Sequence, residues 1–165
     1  MSTIRVGILT VSDRSARGER PDLSGPALED AARGYGWQVI WQAILPDEIS
    51  EIREFLTQRA DEQQIDLLLT TGGTGFAPRD VTPEATLTVV ERLAPGLAEA
   101  MRAESLKITP HAMLSRGVAG IRKQTLIVNF PGSPKAAVEQ LAIIAPALPH
   151  AVQLLREDPL AEKGH

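Results

Sequence analysis

An α/β fold is predicted, a three-layer αβα sandwich with a mostly parallel sheet and one antiparallel strand. Three features of the sequence predict it. Apolar runs of strand length alternate with segments of helical periodicity, the pattern of parallel-sheet proteins. Several of these runs stop abruptly at glycine, proline or acidic residues, which are turn and helix-start signals. The last two runs are separated only by Lys123-Gln124, too few residues for a crossover, so they must lie antiparallel.

Ile4 to Val11 reads as the first strand and ends at Ser12-Asp13-Arg14. A polar loop, Ser15 to Asp22, follows, and a helix starts near Ser24-Gly25-Pro26 and runs to about Arg33, where Gly34 and Gly36 end it. Trp37 to Leu45 is the second strand, with Trp37 and Trp41 on one face for packing or a subunit interface. Asp47 is expected to cap a helix whose apolar positions Ile49, Ile52, Leu56 and Ala60 keep helical spacing. Ile65 to Leu69 is a buried parallel strand. Thr82 is expected to cap the next helix, Pro83 to about Leu93, with Pro83 at the first helical position and Glu84 in the first turn. Pro95-Gly96 breaks the chain before a helix to about Lys107. Ser115 to Arg122 and Thr125 to Phe130 are the antiparallel pair. Ser133 as cap and Pro134 open the last long helix, which Pro146 and Pro149 interrupt before it ends near Arg156.

At 165 residues, 43% hydrophobic and 23% charged, the chain fits one domain, residues 1–157, with a short polar tail at 158–165 expected to fray. Aromatic residues are only 4%, so aliphatic side chains must fill the core. The absence of cysteine excludes disulfides and thiolate chemistry and fits a cytoplasmic protein. A net charge of −4 argues against broad nucleic-acid binding, and no apolar stretch reaches membrane-spanning length.

The richest segment is TTGGTGFAPRDVTPEAT, Thr70 to Thr86. Thr71, Gly72, Gly73, Thr74 and Gly75 follow a strand directly, and glycines there permit positive φ and close approach of backbone N–H groups to a ligand. Asp80 and a helix start lie just beyond. It is neither of the standard phosphate loops: GxxxxGK(S/T) is absent, and Gly73-Thr74-Gly75 lacks the third glycine of the dinucleotide fingerprint. A structural turn is the competing reading for the glycines alone.

Convergence decides more than any one motif. In a parallel sheet, Ser12-Asp13-Arg14, Pro46-Asp47, Gly72 to Asp80, and Asn129 to Lys135 all fall at one edge, where open α/β sheets bind ligands. The glycine loop and two helix starts offer amides. Arg14, Arg79 and Lys135 offer positive charge, and Asp47 and Asp80 offer carboxylates. This is the equipment for a Mg2+–nucleotide complex. His111, His150 and His165 stand away from predicted strand ends and are given no catalytic role. Arg116, Arg122 and Lys123 read as surface charges, although Arg116 could reach the site.

The chain resembles the molybdopterin adenylyltransferases of molybdenum-cofactor biosynthesis, the MogA-type proteins. Related sequences include the closely similar MoaB-type proteins and the G domains of fusion proteins such as gephyrin. The resemblance rests on TVSDR (Thr10 to Arg14), LPDE (Leu45 to Glu48), TTGGTG…RDVTPEAT, and LSRGVAGIRKQTLIVNFPGSPKA (Leu114 to Ala136), in that order. It implies Mg2+-dependent transfer of AMP from ATP to the terminal phosphate of molybdopterin, with release of pyrophosphate. It assigns Asp47 and Asp80 as the catalytic, metal-holding acids. It assigns ligand binding to Ser12, Asp13 and Arg14, to Gly72 through Gly75, and to Pro131, Gly132, Ser133 and Lys135. It also implies a homotrimer and hand-over of the product to a metal-insertion protein.

The chemistry agrees with the residues. A phosphate nucleophile is already ionised at pH 7, so no general base is required. Charge neutralisation and in-line alignment are needed instead. Two other readings stand beside this one: a non-catalytic trimeric molybdopterin-binding or scaffold protein of the MoaB type, and another nucleotide-binding enzyme on the same frame. Retention of both acids favours the enzyme.

Overall fold

The structure, a computed structural model, describes residues 2–164. One six-stranded sheet has the order β2-β1-β3-β6-β5-β4. Its strands are β1 (Arg5–Val11), β2 (Gln38–Leu45), β3 (Leu67–Thr71), β4 (Arg92–Leu93), β5 (Ala119–Arg122) and β6 (Thr125–Phe130). β1 pairs in parallel with β2 and β3, and β3 with β6, while β5 runs antiparallel to both β6 and β4. One reversed strand in an otherwise parallel sheet is the architecture the sequence predicts.

The helices are α1 (Asp13–Ala16), α2 (Ser24–Gly34), α3 (Ile49–Asp61), α4 (Thr82–Val89), α5 (Pro95–Leu106), α6 (Pro134–Ile144) and α7 (Leu148–Leu155). They cover both sheet faces. Leu28, Met101, Leu141 and Val152, from α2, α5, α6 and α7, pack on Val6, Ile8, Leu69 and Val128. On the opposite face Ile52 and Leu56 of α3, with Ala85 and Val89 of α4, pack on Leu9, Leu68 and Ile127. β3 and β6 are buried along their whole length, as central parallel strands between two helical layers must be. No single helix among the described residues is long and apolar enough to cross a membrane; α6 and α7 together are apolar, but are bent by 67° at their break.

Three local expectations need correction. The helix predicted to reach Leu93 stops at Val89, because Val90 turns extended and the chain joins the sheet edge. Glu91 N–H donates to the Ile121 carbonyl at 2.8 Å and Ala94 N–H to the Ala119 carbonyl at 2.9 Å, giving the two-residue strand β4. The polar loop after β1 opens with a helical turn, α1, whose cap is Ser12: its Oγ accepts from Ser15 N–H at 3.2 Å. In the tail, expected to fray, Ala161–Gly164 forms a 3-10 turn and Ala161 is buried; His165 lies outside the described residues.

Trp37 and Trp41 do not share a face. The register of β1 with β2 shifts between Val6 and Gly7, whose partners are Val39 and Trp41, so Ile40 is an extra residue. A bulge of one residue reverses the alternation of faces beyond it. Trp37 packs in the α2 layer and Trp41 in the α3 layer, edge-on to Phe55 at 5.2 Å. The Trp41 ring lies where a Cβ on Gly7 would be, 2.2 Å from its Cζ2, which explains a glycine inside a central strand.

The amino-terminal end of the sheet is closed by ions. Asp66, just before β3, is buried, and accepts from Arg5 N–H at 2.8 Å, from the Arg5 guanidinium at 3.1 Å, and from Arg156 at 2.5 and 2.9 Å. Arg156 also donates to the Ser2 and Thr3 carbonyls, tying the end of α7 to the start of the chain.

Candidate functional site

The carboxyl ends of β1, β2, β3 and β6 lie side by side because all four strands run the same way. The chain leaves β1 for β2 on one side, and β3 lies on the other. The crevice between β1 and β3 is therefore the switch point of the sheet. A cleft of about 500 Å3 opens there, lined by Ser12, Asp47, Thr71, Gly72 and Ser133 among others. A second cleft of about 450 Å3 adjoins it, lined by Thr74, Gly75 and Pro131 together with Ser105, His111 and Gln140. Gly73, Asp80 and Gly132 line both, so the clefts meet at the glycine loop and one carboxylate.

Glycine is required in that loop for two reasons. Gly72 and Gly73 have φ of 97° and 67°, in the region side chains disfavour. A Cβ on Gly72 would stand 2.3 Å from the Val11 carbonyl oxygen, and one on Gly73 would stand 2.4 Å from Thr82 Oγ1. The amide of Gly72 is already used, donating to the Phe130 carbonyl at 3.1 Å.

Thr82 does not cap its helix. The cap position is Val81, with no side-chain bond, and Thr82 Oγ1 instead donates to the Gly72 carbonyl at 3.0 Å. Asp47 is not a cap either: the cap position of α3 is Glu48. Asp47 and Asp13 exchange bonds across the ends of β1 and β2. Asp13 N–H donates to Asp47 Oδ2 at 2.9 Å, and Asp47 N–H donates to Asp13 Oδ1 at 3.0 Å. Ser133 does cap α6, accepting from Ala136 N–H at 3.4 Å.

The charges divide sharply. Arg79 donates to Asp13 at 2.6 and 3.2 Å and to Glu48 at 2.7 Å. The Arg79 hydrogen bond and the Asp47 amide hold the Asp13 carboxyl below the ordinary aspartate range. Asp47 shifts the other way. Burial raises its pKa, and the charges of Asp13 and Asp80 add to the rise against the Asp13 amide. Asp80 Oδ2 accepts from Ala77 N–H at 3.1 Å.

Ser12, Thr71, Gly72, Gly73, Gly132 and Ser133 thus line the first cleft, and Thr74, Gly75 and Pro131 the second. Asp13, Arg14, Arg79 and Lys135 line neither. The Lys135 side chain is 85% exposed, 3.9 Å from Glu139. Arg20 and Asp22 line the first cleft, and the sequence reading does not include them. Asp22 is fixed there by Thr10 Oγ1 at 2.7 Å and Gly25 N–H at 3.1 Å. Its spacing of three residues before Gly25, at the start of α2, is a legible capping signal; nothing local marks Arg20. His111, although it stands away from the strand ends in sequence, lines the second cleft.

No group of three or more acidic or histidine side chains gathers to hold a metal among the described residues. Asp47 and Asp80 face the first cleft without an arginine partner. One or two carboxylates completed by substrate phosphates are the donor set that Mg2+ accepts, so the residues present fit that ion.

The family described as "Probable molybdopterin binding domain" matches residues 7–150. The molybdopterin adenylyltransferase of Helicobacter pylori (strain ATCC 700392 / 26695) is 45% identical, over 94% of this chain and 89% of that protein. Gephyrin of Dictyostelium discoideum is also 45% identical over 93% of this chain, which spans only 23% of that longer protein. The crystal structure described as the molybdopterin biosynthesis enzyme MoaB from Thermus thermophilus superposes with a TM-score of 0.89 at 51% identity, covering 95% of this chain and 99% of that one.

Proposed function

We propose a function from the premise that this chain belongs to the molybdopterin binding domain family. It is a molybdopterin adenylyltransferase, a nucleotidyltransferase acting in molybdenum cofactor biosynthesis. A terminal phosphate oxygen of molybdopterin attacks the α-phosphorus of ATP. The bond to the bridging oxygen of the pyrophosphate breaks, and pyrophosphate leaves with that electron pair. The observation that carries this reading is the meeting of two clefts at Gly73, Asp80 and Gly132, with Asp47 on the first cleft. Two substrates seated in adjoining clefts present their phosphates to one another at that junction.

Asp47 and Asp80 would hold Mg2+, which supplies charge neutralisation between the two anionic substrates when bound. The protein's own part is alignment. The loop amides approach phosphate oxygens, Ser12 adds a hydroxyl, and Arg20 offers the cation on the first cleft, while the Thr71 hydroxyl is spent on the Pro131 carbonyl at 2.7 Å. No residue is needed as a base, because the attacking phosphate is ionised at neutral pH. The homotrimer and hand-over to a metal-insertion protein belong to the same reading. Leu93, Ile108 and Met113, each more than half exposed, are apolar area that such contacts would cover. Sedimentation at about three times the 17.8 kDa chain mass checks the assembly.

The deciding experiment incubates the protein with molybdopterin, Mg2+ and ATP. Pyrophosphate and adenylylated pterin are expected in equal amounts, with no pyrophosphate when molybdopterin is left out. Tight binding of molybdopterin without pyrophosphate release would leave a non-catalytic binder.

A further inference from the structure

Every carbonyl of the glycine loop is held by the protein. Thr82 Oγ1 donates to the Gly72 carbonyl at 3.0 Å, and Thr82 N–H to the Gly73 carbonyl at 3.1 Å. Arg116 N–H donates to the Thr74 carbonyl at 2.8 Å, and Arg116 Nε to the Gly75 carbonyl at 2.8 Å. Two residues, distant from one another in sequence, therefore pin four consecutive peptide units. A trans peptide is planar, with its C=O and N–H pointing opposite ways. Pinning those carbonyls inward aims the amides of Gly73, Thr74, Gly75 and Phe76 outward. Among the described residues those four amides have no protein acceptor.

Both braces are themselves anchored. Thr82 is fully buried, and its carbonyl accepts from Thr86 Oγ1 at 2.8 Å. Thr86 Oγ1 accepts from Asn129 Nδ2 at 3.0 Å, and Asn129 reaches Thr70 at 2.9 Å, so Thr82 is tied to β3 and β6. The remaining Arg116 nitrogens bind the Asp80 carbonyl at 2.8 Å and the Glu84 carboxylate at 2.7 and 2.9 Å. Arg116 lines neither cleft. Its planar fork serves three separate acceptors, which an ammonium at one point cannot do.

We propose that Thr82 and Arg116 are positioning residues. They turn the loop carbonyls away, present the Gly73, Thr74 and Gly75 amides to substrate phosphate, and fix the backbone of Asp80. Arg116 does so as a brace for the loop, not as a cation for the ligand. The proposal rests on the nucleotide-binding reading given above.

The test uses the full chain with Thr82→Val, Thr82→Ser, Arg116→Lys and Arg116→Gln. Mg2+–ATP binding is measured by calorimetry. The {1H}–15N NOE of the Gly73, Thr74 and Gly75 amides is measured without ligand, at temperatures where each variant is folded. Thr82→Val and Arg116→Lys are each expected to lower these NOE values and weaken Mg2+–ATP by about tenfold, the scale of one lost charge-assisted or buried hydrogen bond. Thr82→Ser restores affinity to within about threefold of the parent, because it keeps the donor. Arg116→Lys behaves like Arg116→Gln, since both lose the fork. If Thr82→Val does not fold, Thr82→Ser and the two Arg116 variants still decide.

Parental affinity in Arg116→Lys with loss in Arg116→Gln would mean that charge acts, and overturns the brace. Equal binding by the parent and all variants, or a loosened loop with unchanged affinity, overturns the proposal and leaves the nucleotide site standing. A parent that binds no Mg2+–ATP overturns the functional reading and this proposal with it.

Discussion

The two ends of the sheet use the same side chains to opposite effect. At the amino-terminal end, buried Asp66 is saturated by Arg5 and Arg156, which enclose it from two sides. At the carboxyl end, Arg79 saturates Asp13, but Asp47 and Asp80 face a cleft with backbone amides as their partners. The acid shifts follow. Burial pushes Asp66 up, but the hydrogen bonds from Arg156 and Arg5 outweigh it and hold the group low. Burial raises Asp47, and no arginine hydrogen bond offsets it. A carboxylate with its charge fully answered is structural. One whose charge is left over invites a cation, and that asymmetry supports placing the proposed Mg2+–substrate site at the carboxyl end.

Breaking the closed end should have the largest effect. Asp66→Asn leaves Arg156 and Arg5 facing a neutral group, and the expected loss is about 3–5 kcal/mol of folding stability, the scale for removing one partner of a buried pair. Urea unfolding measures it. Turnover per folded molecule should be unchanged, and a parallel loss of turnover in folded protein would erase the distinction between the ends.

Breaking the open end should do the reverse. Asp47→Asn keeps an acceptor for Asp13 N–H, and Asp80→Asn one for Ala77 N–H. Both variants should therefore melt within a few degrees of the parent. Adenylyl transfer should fall on the order of a hundredfold, as when one electrostatic stabiliser is lost. Near-parental turnover at saturating Mg2+ and ATP would remove these acids from the mechanism.

Acidification should separate the ends without a mutation. Asp66 has a lowered pKa in the fold, so its stabilisation is fully present above the ordinary aspartate range and is lost only as pH falls through the depressed value. Asp47 has a raised pKa, so its charge, and activity that depends on it, is lost at higher pH than for an ordinary aspartate. Activity should therefore fall before the fold does, and added Mg2+ should shift the activity limb to lower pH. Coincident limbs in activity and circular dichroism would contradict this.

The smallest effect is expected from a residue at the carboxyl end that lines neither cleft. Lys135→Ala should change ATP affinity less than about twofold, since an exposed charge near one carboxylate contributes little. A larger drop in a binding isotherm would bring Lys135 to the ligand.

Much of the fold was legible because its signals are local. Pro134 begins α6 as its missing N–H allows, the break at Pro95-Gly96 marks the start of α5, and the interruption at Pro146 and Pro149 separates α6 from α7. The two-residue connection at Lys123-Gln124 forced one strand to reverse. Thr82 and Asp47 misled for the same reason. Each has the right chemistry for a cap, but each found a stronger use: Thr82 on the Gly72 carbonyl, Asp47 on the Asp13 amide. The bulge at Ile40 was invisible because it depends on how β2 meets Gly7 across the sheet.

The sequence by itself determined the order of the main strands and helices, though not α1 or the edge strand β4, together with the glycine loop and the pair of acids at one edge. Periodicity, turn residues and parallel strand direction act over a few residues and are written in the order of the chain. Only the tertiary structure decided which charges are spent and which remain. Arg79 meets Asp13 across 66 positions and Arg116 meets Gly75 across 41, after the sheet has set their distance. A side chain's availability depends on the neighbours that reach it first, and those contacts exist only once the chain has folded.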